Sequence, residues 1–226
     1  MKKKHLLLSI FCYCLIISCN KQQVVDSKNL TSTESESTSN ILKEKQLRND
    51  PVFQAILKKQ TELNELIVLG QNNSQKQFNK TFELIQKLQN TTNLTDDQLE
   101  KRLDALLNLP QNKKVKDYQK YFADNWEILK TKYGASILTD EYINTEVSEA
   151  YKTNYSVLGN KKACLDLTNY TVCTAGVTAA AILGHAACVG TLFGAPICFA
   201  LVATIQVAGI NECATTYCGS PIFGND

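Results

Sequence analysis

The chain has 226 residues, 44% hydrophobic and 20% charged, with nine cysteines, two histidines and a formal net charge of +2. Such a chain is too apolar to be wholly disordered and too balanced in charge to bind nucleic acid through bulk basicity. Its length suffices for one or two domains with a sizeable core.

Residues 1–18 read as a secretory signal. Lys2, Lys3, Lys4 and His5 form a basic start. Residues 6–17 are an apolar run of 12, too short to cross a hydrocarbon core of about 30 Å as a helix. The string Ile16-Ile17-Ser18-Cys19 resembles the lipobox of bacterial lipoproteins. The resemblance implies cleavage before Cys19 and acylation of that cysteine, palmitate included, by enough chains to anchor it stably. Asn20, rather than Asp, follows the lipid site, which in that pattern points to the outer membrane where the cell has one. The competing reading is an ordinary signal peptide with an incidental Cys19.

Loss of residues 1–18 leaves 21 Lys and Arg against 22 Asp and Glu, with His185 the sole histidine. Cys12 and Cys14 leave with the signal, and the lipid takes Cys19. Six cysteines remain, all beyond residue 160, and an even number in an exported chain points to three disulfides.

Residues 19–49 are expected as a lipid-anchored, disordered tether. The stretch SKNLTSTESESTSN at 27–40 holds one aliphatic residue in fourteen and cannot offset its conformational entropy by burial.

Residues 50–158 carry five amphipathic helical patterns, which predict a small bundle. Asp50-Pro51 supplies a cap and a first-turn proline, Phe53, Ile56, Leu57, Leu63, Leu66 and Ile67 follow at helical spacing, and Gly70 ends the run. Ser74 opens a second helix with Phe78, Phe82, Ile85 and Leu88 on one face. Thr95-Asp96-Asp97-Gln98 is a capping box ahead of Leu99, Leu103, Leu106 and Leu107. Val115, Tyr118, Phe122, Trp126 and Leu129 mark a fourth helix closed by Gly134; Thr139-Asp140 opens a fifth with Tyr142, Ile143, Val147 and Tyr151. The aromatic stripe of the fourth reads as core.

Residues 159–226 differ in kind. No Lys or Arg follows Lys161-Lys162, and the 45 residues between Asp166 and Glu212 carry no formal charge. Gly194-Ala195-Pro196 interrupts the run, which predicts helices over 171–193 and 196–213 joined by a tight turn. Facing residues of an antiparallel hairpin have a constant sum of positions. Cys188 and Cys198 sum to 386, and so do Cys173 and Cys213. Spacing of 15 within each helix leaves two cysteines about 60° apart around the axis, so both can face the partner. Cys164 and Cys218 remain to close the outer rim. Six cysteines allow 15 pairings, and the hairpin geometry selects Cys188–Cys198, Cys173–Cys213 and Cys164–Cys218. The bridges need Cα separations below about 7 Å. Ala175, Ala179, Ala186, Gly190, Ala200, Ala203 and Ala208 would permit so close an approach.

A zinc site is disfavoured because no Cys-x-x-Cys occurs. The hairpin could instead be the buried core of the bundle, or engage a membrane. The first helix is long enough to span, but residues 196–211 cover only about 24 Å before Glu212. His185, alone on an apolar helix, reads as a packed histidine. No nucleophile elbow, phosphate loop, His-Glu-x-x-His or dinucleotide fingerprint occurs, so no catalytic, cofactor or metal residue is assigned and an enzyme is not expected.

The stretch Val172-Cys173-Thr174-Ala175-Gly176, the run 179–188 and the later Cys198 and Cys213 are similar to the C-terminal segment of halocin-type bacteriocin precursors. That likeness implies release of the Cys-rich segment, for which Lys161-Lys162 is the obvious cleavage site, and an N-terminal part serving as immunity factor. The released 163–226 would carry Asp166, Glu212 and Asp226 and no cation, which argues against cationic attack on anionic lipid. The expectation is thus an all-α lipoprotein of the envelope: a helical bundle at 50–158 and a disulfide-braced apolar antiparallel hairpin at 159–226. Two roles stand open. One is a bacteriocin-like, membrane-active C-terminal module, and the other a non-catalytic structural or partner-binding protein whose hairpin belongs to the core. The partners expected are a membrane, through the lipid on Cys19, and a membrane or protein for the hairpin, with no nucleic acid.

Overall fold

The computed structural model describes residues 46–89, 91, 94–153, 164–189 and 195–224. The signal at 1–18, Cys19, most of the tether and the Lys161-Lys162 pair lie outside the described residues. Leu47–Asn49 forms a single 3-10 turn, with Leu47 buried, so the folded unit begins three residues inside the segment expected as tether.

Seven α-helices follow among the described residues, and no strand: α1 Pro51–Gly70, α2 Gln75–Leu88, α3 Asp96–Leu107, α4 Val115–Tyr133, α5 Asp140–Thr153, α6 Leu167–Val189 and α7 Ala195–Cys218. Local chemistry sets most of their ends. The Asp50 carboxylate accepts from the Val52 and Phe53 N–H groups at the start of α1. Ser74 caps α2, and Thr95 with Gln98 completes the capping box of α3. α3 and α4 stop at positive φ, Asn108 at 51° and Gly134 at 87°.

The hairpin helices depart from their predicted bounds: α6, Leu167–Val189, lies four residues earlier than 171–193 at the same length, and α7 is longer. α6 begins at Leu167 rather than residue 171, because Asp166 caps it: its carboxylate accepts from the Asn169 N–H at 3.0 Å. α7 continues to Cys218 rather than stopping at 213, and Gly219 ends it at φ 67°. Proline gives no trouble at Pro196, which sits in the first turn of α7.

The fold is all-α, and its hairpin is the middle of it. α7 packs against α1, α2, α3, α4 and α6, while α6 lies between α7 and α5 and also touches α4. The order follows from composition. An amphipathic helix has one face to bury, whereas a helix apolar all round is best placed where neighbours surround it. Accordingly two-thirds of the apolar stretch of α7 is buried, against half for α6. Phe53, Phe78, Leu103, Trp126, Ile143, Tyr170, Phe199 and Val207, drawn from all seven helices, belong to one hydrophobic core.

Within the hairpin, Cys188 is joined to Cys198, Cys173 to Cys213 and Cys164 to Cys218. The first two rungs have Cα separations of 5.6 and 5.9 Å. Between them the helices interlock at two notches that the alanine-based reading does not single out. A Cβ on Gly184 would stand 3.0 Å from Val202, and one on Gly209 would stand 2.9 Å from Val177. Both Gly–Val pairs sum to 386, the same register as the cysteine rungs. Covalent ladder and packing notches thus agree on one alignment.

The sharpest steric constraint lies at the end of α1, where a Cβ on Gly70 would fall 2.2 Å from the Leu107 carbonyl oxygen, a backbone atom that cannot swing aside. Gly70→Ala is therefore expected to cost about 3 kcal/mol, at the upper end for overpacking. A lowered urea midpoint with an unchanged slope is the outcome that checks it.

Candidate functional site

The chemistry of the folded unit concentrates where α1 meets the hairpin. Gln60 and Asn64 occupy the same face of α1 as Leu57 and Ile67, and are 4% and 2% exposed. The Gln60 amide nitrogen lies 2.9 Å from Nδ1 of His185 on α6. The His185 ring is fully buried, stacked on Phe199 of α7 at 4.0 Å and edge-on to Phe122 of α4 at 5.3 Å. Burial pushes its pKa down to about 3, with only the Phe199 backbone acting the other way. The ring is neutral at any ordinary pH. Nδ1 then accepts from Gln60 if the proton resides on Nε2.

A second polar group continues the seam along α6. Gln206 of α7 donates to Thr178 at 3.3 Å, and the Tyr151 hydroxyl of α5 lies 2.9 Å from the same oxygen. Thr61 of α1 also acts on the Tyr151 hydroxyl. Four buried side-chain atoms have no hydrogen-bond partner among the described residues: Gln60 Oε1, Asn64 Oδ1, His185 Nε2 and Gln206 Oε1. All four lie on α1, α6 or α7.

The charged groups sit at the periphery and act as clamps. Glu62 accepts from Lys113 at 2.7 Å, Lys59 at 2.8 Å and the Tyr118 hydroxyl at 2.8 Å. Burial alone would raise its pKa, but these three donors outweigh that and hold it at about 2. The Lys59 ammonium also lies 4.8 Å from the centroid of the Tyr118 ring. Asp50 follows the same pattern: desolvation raises its carboxyl, and hydrogen bonds from Lys132, Tyr133 and the Val52 and Phe53 backbone bring it below the usual range. Glu146 accepts from the Arg48 backbone N–H at 2.7 Å and from its guanidinium at 3.2 Å, fixing the turn at 47–49 on α5. These carboxylates join helices.

The site residues expected from the sequence divide in three. The six cysteines come together as three rungs of the hairpin. His185 is packed, as its isolation on an apolar helix suggests, and its polar partner is a residue that reading missed. Cys19, Lys161 and Lys162 lie outside the described residues. Gln60 and Asn64 had a detectable signal, since they interrupt the stripe Phe53, Leu57, Ile67 at helical spacing. Gln206 is the one Gln within the charge-free run.

The His185 shift makes stability depend on pH. An ordinary histidine titrates at about 6.5, so the unfolded chain binds this proton first and the folded chain resists it. The contribution is complete above pH 6.5 and is lost as pH falls towards about 3. From pH 7 to pH 5 the loss is about 2 kcal/mol. Asp50 and Glu62, with lowered pKa values, act below that window. Urea midpoints at pH 7 and pH 5 are expected to show this fall in the native protein, and His185→Phe is expected to abolish most of it. No protein-family profile, curated protein or solved structure matches the chain.

Proposed function

We propose that this is an exported envelope protein, anchored through lipid on Cys19 at the outer membrane or cell surface, that works by binding rather than by catalysis. In this reading the disulfide-braced hairpin is the keel of the folded unit, and the amphipathic helices around it present the binding surface. One observation carries it: α7 touches five of the six preceding helices, and all seven share one core. A segment destined only for release would have no reason to organise the rest of the chain. Three disulfides fit a compartment outside the cytoplasm, where thiols oxidise. The lowered carboxylates Glu62 and Asp50 are engaged in joining helices, which accounts for their shifts without catalysis.

A second reading has its own support. The hairpin is cross-linked only to itself, so a cut at Lys161-Lys162 would free a covalently intact, charge-poor module of 64 residues. Both of its helices are long and apolar enough to cross a membrane by length and composition. That is the bacteriocin-like alternative, in which the module acts on the membrane of a related cell.

Limited proteolysis of the oxidised protein separates the two. The binding-module reading expects one resistant unit from about residue 47 onward, unfolding in a single transition, and Cys19→Ser is expected to move the protein from the membrane to the soluble fraction. A stable 163–226 fragment in culture fluid that inhibits a related strain would replace that reading with the second. A Cys19→Ser protein that stays with the membrane would remove the lipid anchor from both.

A further inference from the structure

The strongest constraint left unexplained is the polar seam itself. Burying a polar atom without a partner is unfavourable by roughly 1–3 kcal/mol, and the fold does so on both sides of the Gln60–His185 contact, at Gln60 Oε1 and His185 Nε2. The same contact lacks any covalent tie. Every disulfide runs between α6 and α7 or from Cys164, three residues ahead of α6, to the end of α7, and none reaches α1 through α5. The hairpin is locked to itself, while its attachment to α1 is non-covalent and polar at its centre. α1 is held elsewhere by the apolar side chains it buries in the common core, Phe53, Ile56, Leu57, Leu63 and Ile67, and by the ion pairs of Asp50 with Lys132 and Glu62 with Lys113.

We infer that the folded unit opens along the α1–hairpin seam as the pH falls, with α1 leaving as a unit, the α6–α7 pair staying closed, and His185 acting as the trigger. The ring is placed for that role. From α1 it meets Gln60, from α4 Phe122 and from α7 Phe199. From α5 the nearest group placed on α6 is Tyr151, at Thr178, two turns away. No charged group acts on it, and the Phe199 backbone is the one group that favours the protonated ring, against the larger effect of burial. Opening gives the ring water and releases Gln60 Oε1 to solvent in the same motion. It also uncovers the charge-free surface of α7 at Phe199, which lies beside Ile56, Gln60 and Leu63 of α1 and which a lipid interface would cover. This deepens the membrane-active reading given above, and only the lipid arm of the test rests on that reading.

The protein carries its own reporter. Trp126, the single tryptophan, is buried and stacked on Phe122 at 5.8 Å, and Phe122 in turn meets His185. The experiment is amide exchange with Trp126 fluorescence on the full oxidised chain from pH 7 to pH 5. The open population is expected to rise about 25-fold across that range, the ratio set by a proton held in the open form and refused in the closed one. Protection in α1 should fall by that factor and Trp126 emission should shift to the red, while α7 amides stay better protected than those of α1. In His185→Gln and His185→Phe the change should shrink to less than about 2-fold; two variants guard against one that fails to fold. Equal protection of α1 and α7 at pH 5 would mean global unfolding and would overturn the proposal. So would a pH response that survives in a folded variant. Addition of phosphatidylcholine–phosphatidylglycerol vesicles at pH 5 tests the other claim. Opening without vesicle association supports the seam and overturns the membrane-active reading, whereas association that tracks the opening supports both.

Discussion

A run of 45 residues without a charge must be kept from water, and the rest of the folded unit is arranged around that necessity. Two such helices side by side hide only the faces they turn to each other. The remaining surface needs a third partner, and here it is supplied by five helices that each bring one apolar face. This explains why α7, the more enclosed of the pair, is the structural hub. It also explains why α1–α5 carry nearly all of the ion pairs: their outward faces do the solvation that the hairpin cannot.

The hairpin has a further difficulty that burial alone does not solve. Helices built from Ala, Gly, Thr and Val have shallow relief, and shallow surfaces slide. Large knobs normally fix helix register by filling holes, and here the knobs are only Val177 and Val202, each facing a glycine. The two Gly–Val notches and the two inner disulfides share one constant sum, so covalent and steric constraints specify the same alignment. A shift of one turn would break both together. The bridges close loops of 10, 40 and 54 residues, nested within one another, so their entropic contributions overlap rather than add. Their distinctive contribution is register.

How much of this was legible before the coordinates follows from which forces act locally. Caps are local, so Asp50-Pro51, Ser74, Thr95–Gln98 and Gly134 mark helix ends correctly in the sequence. The cysteine ladder is legible for a different reason: antiparallel pairing imposes an arithmetic that six positions either satisfy or do not. What escaped was non-local. Asp166 reads as the edge of the charge-free run, and its role as a cap emerges only when α6 starts one residue later. Gly184 and Gly209 look like two more small residues until a valine is seen opposite each. Gln60 and Asn64 interrupt an apolar stripe, which is visible, but the reason lies 125 residues away from Gln60 in His185.

That last case shows where stability and specificity part company. An aliphatic residue at position 60 and a Phe at 185 would pack the same space with no polar atom to desolvate, and such replacements often stabilise a core. The chain instead places a neutral imidazole between Gln60 and two phenyl rings, with its second nitrogen unpartnered. A polar contact of this kind is weak insurance against unfolding and strong insurance against misplacement, because only one rotation of α1 brings Gln60 to His185. It also sets the order in which the assembly can come apart. The hairpin has covalent rungs and matched notches, whereas α1 is clamped to α4 through Asp50 and Glu62 and meets the hairpin through apolar packing with one polar pair, Gln60 and His185, set within it. In the opening proposed above, the Gln60–His185 contact is the point at which α1 and the hairpin part.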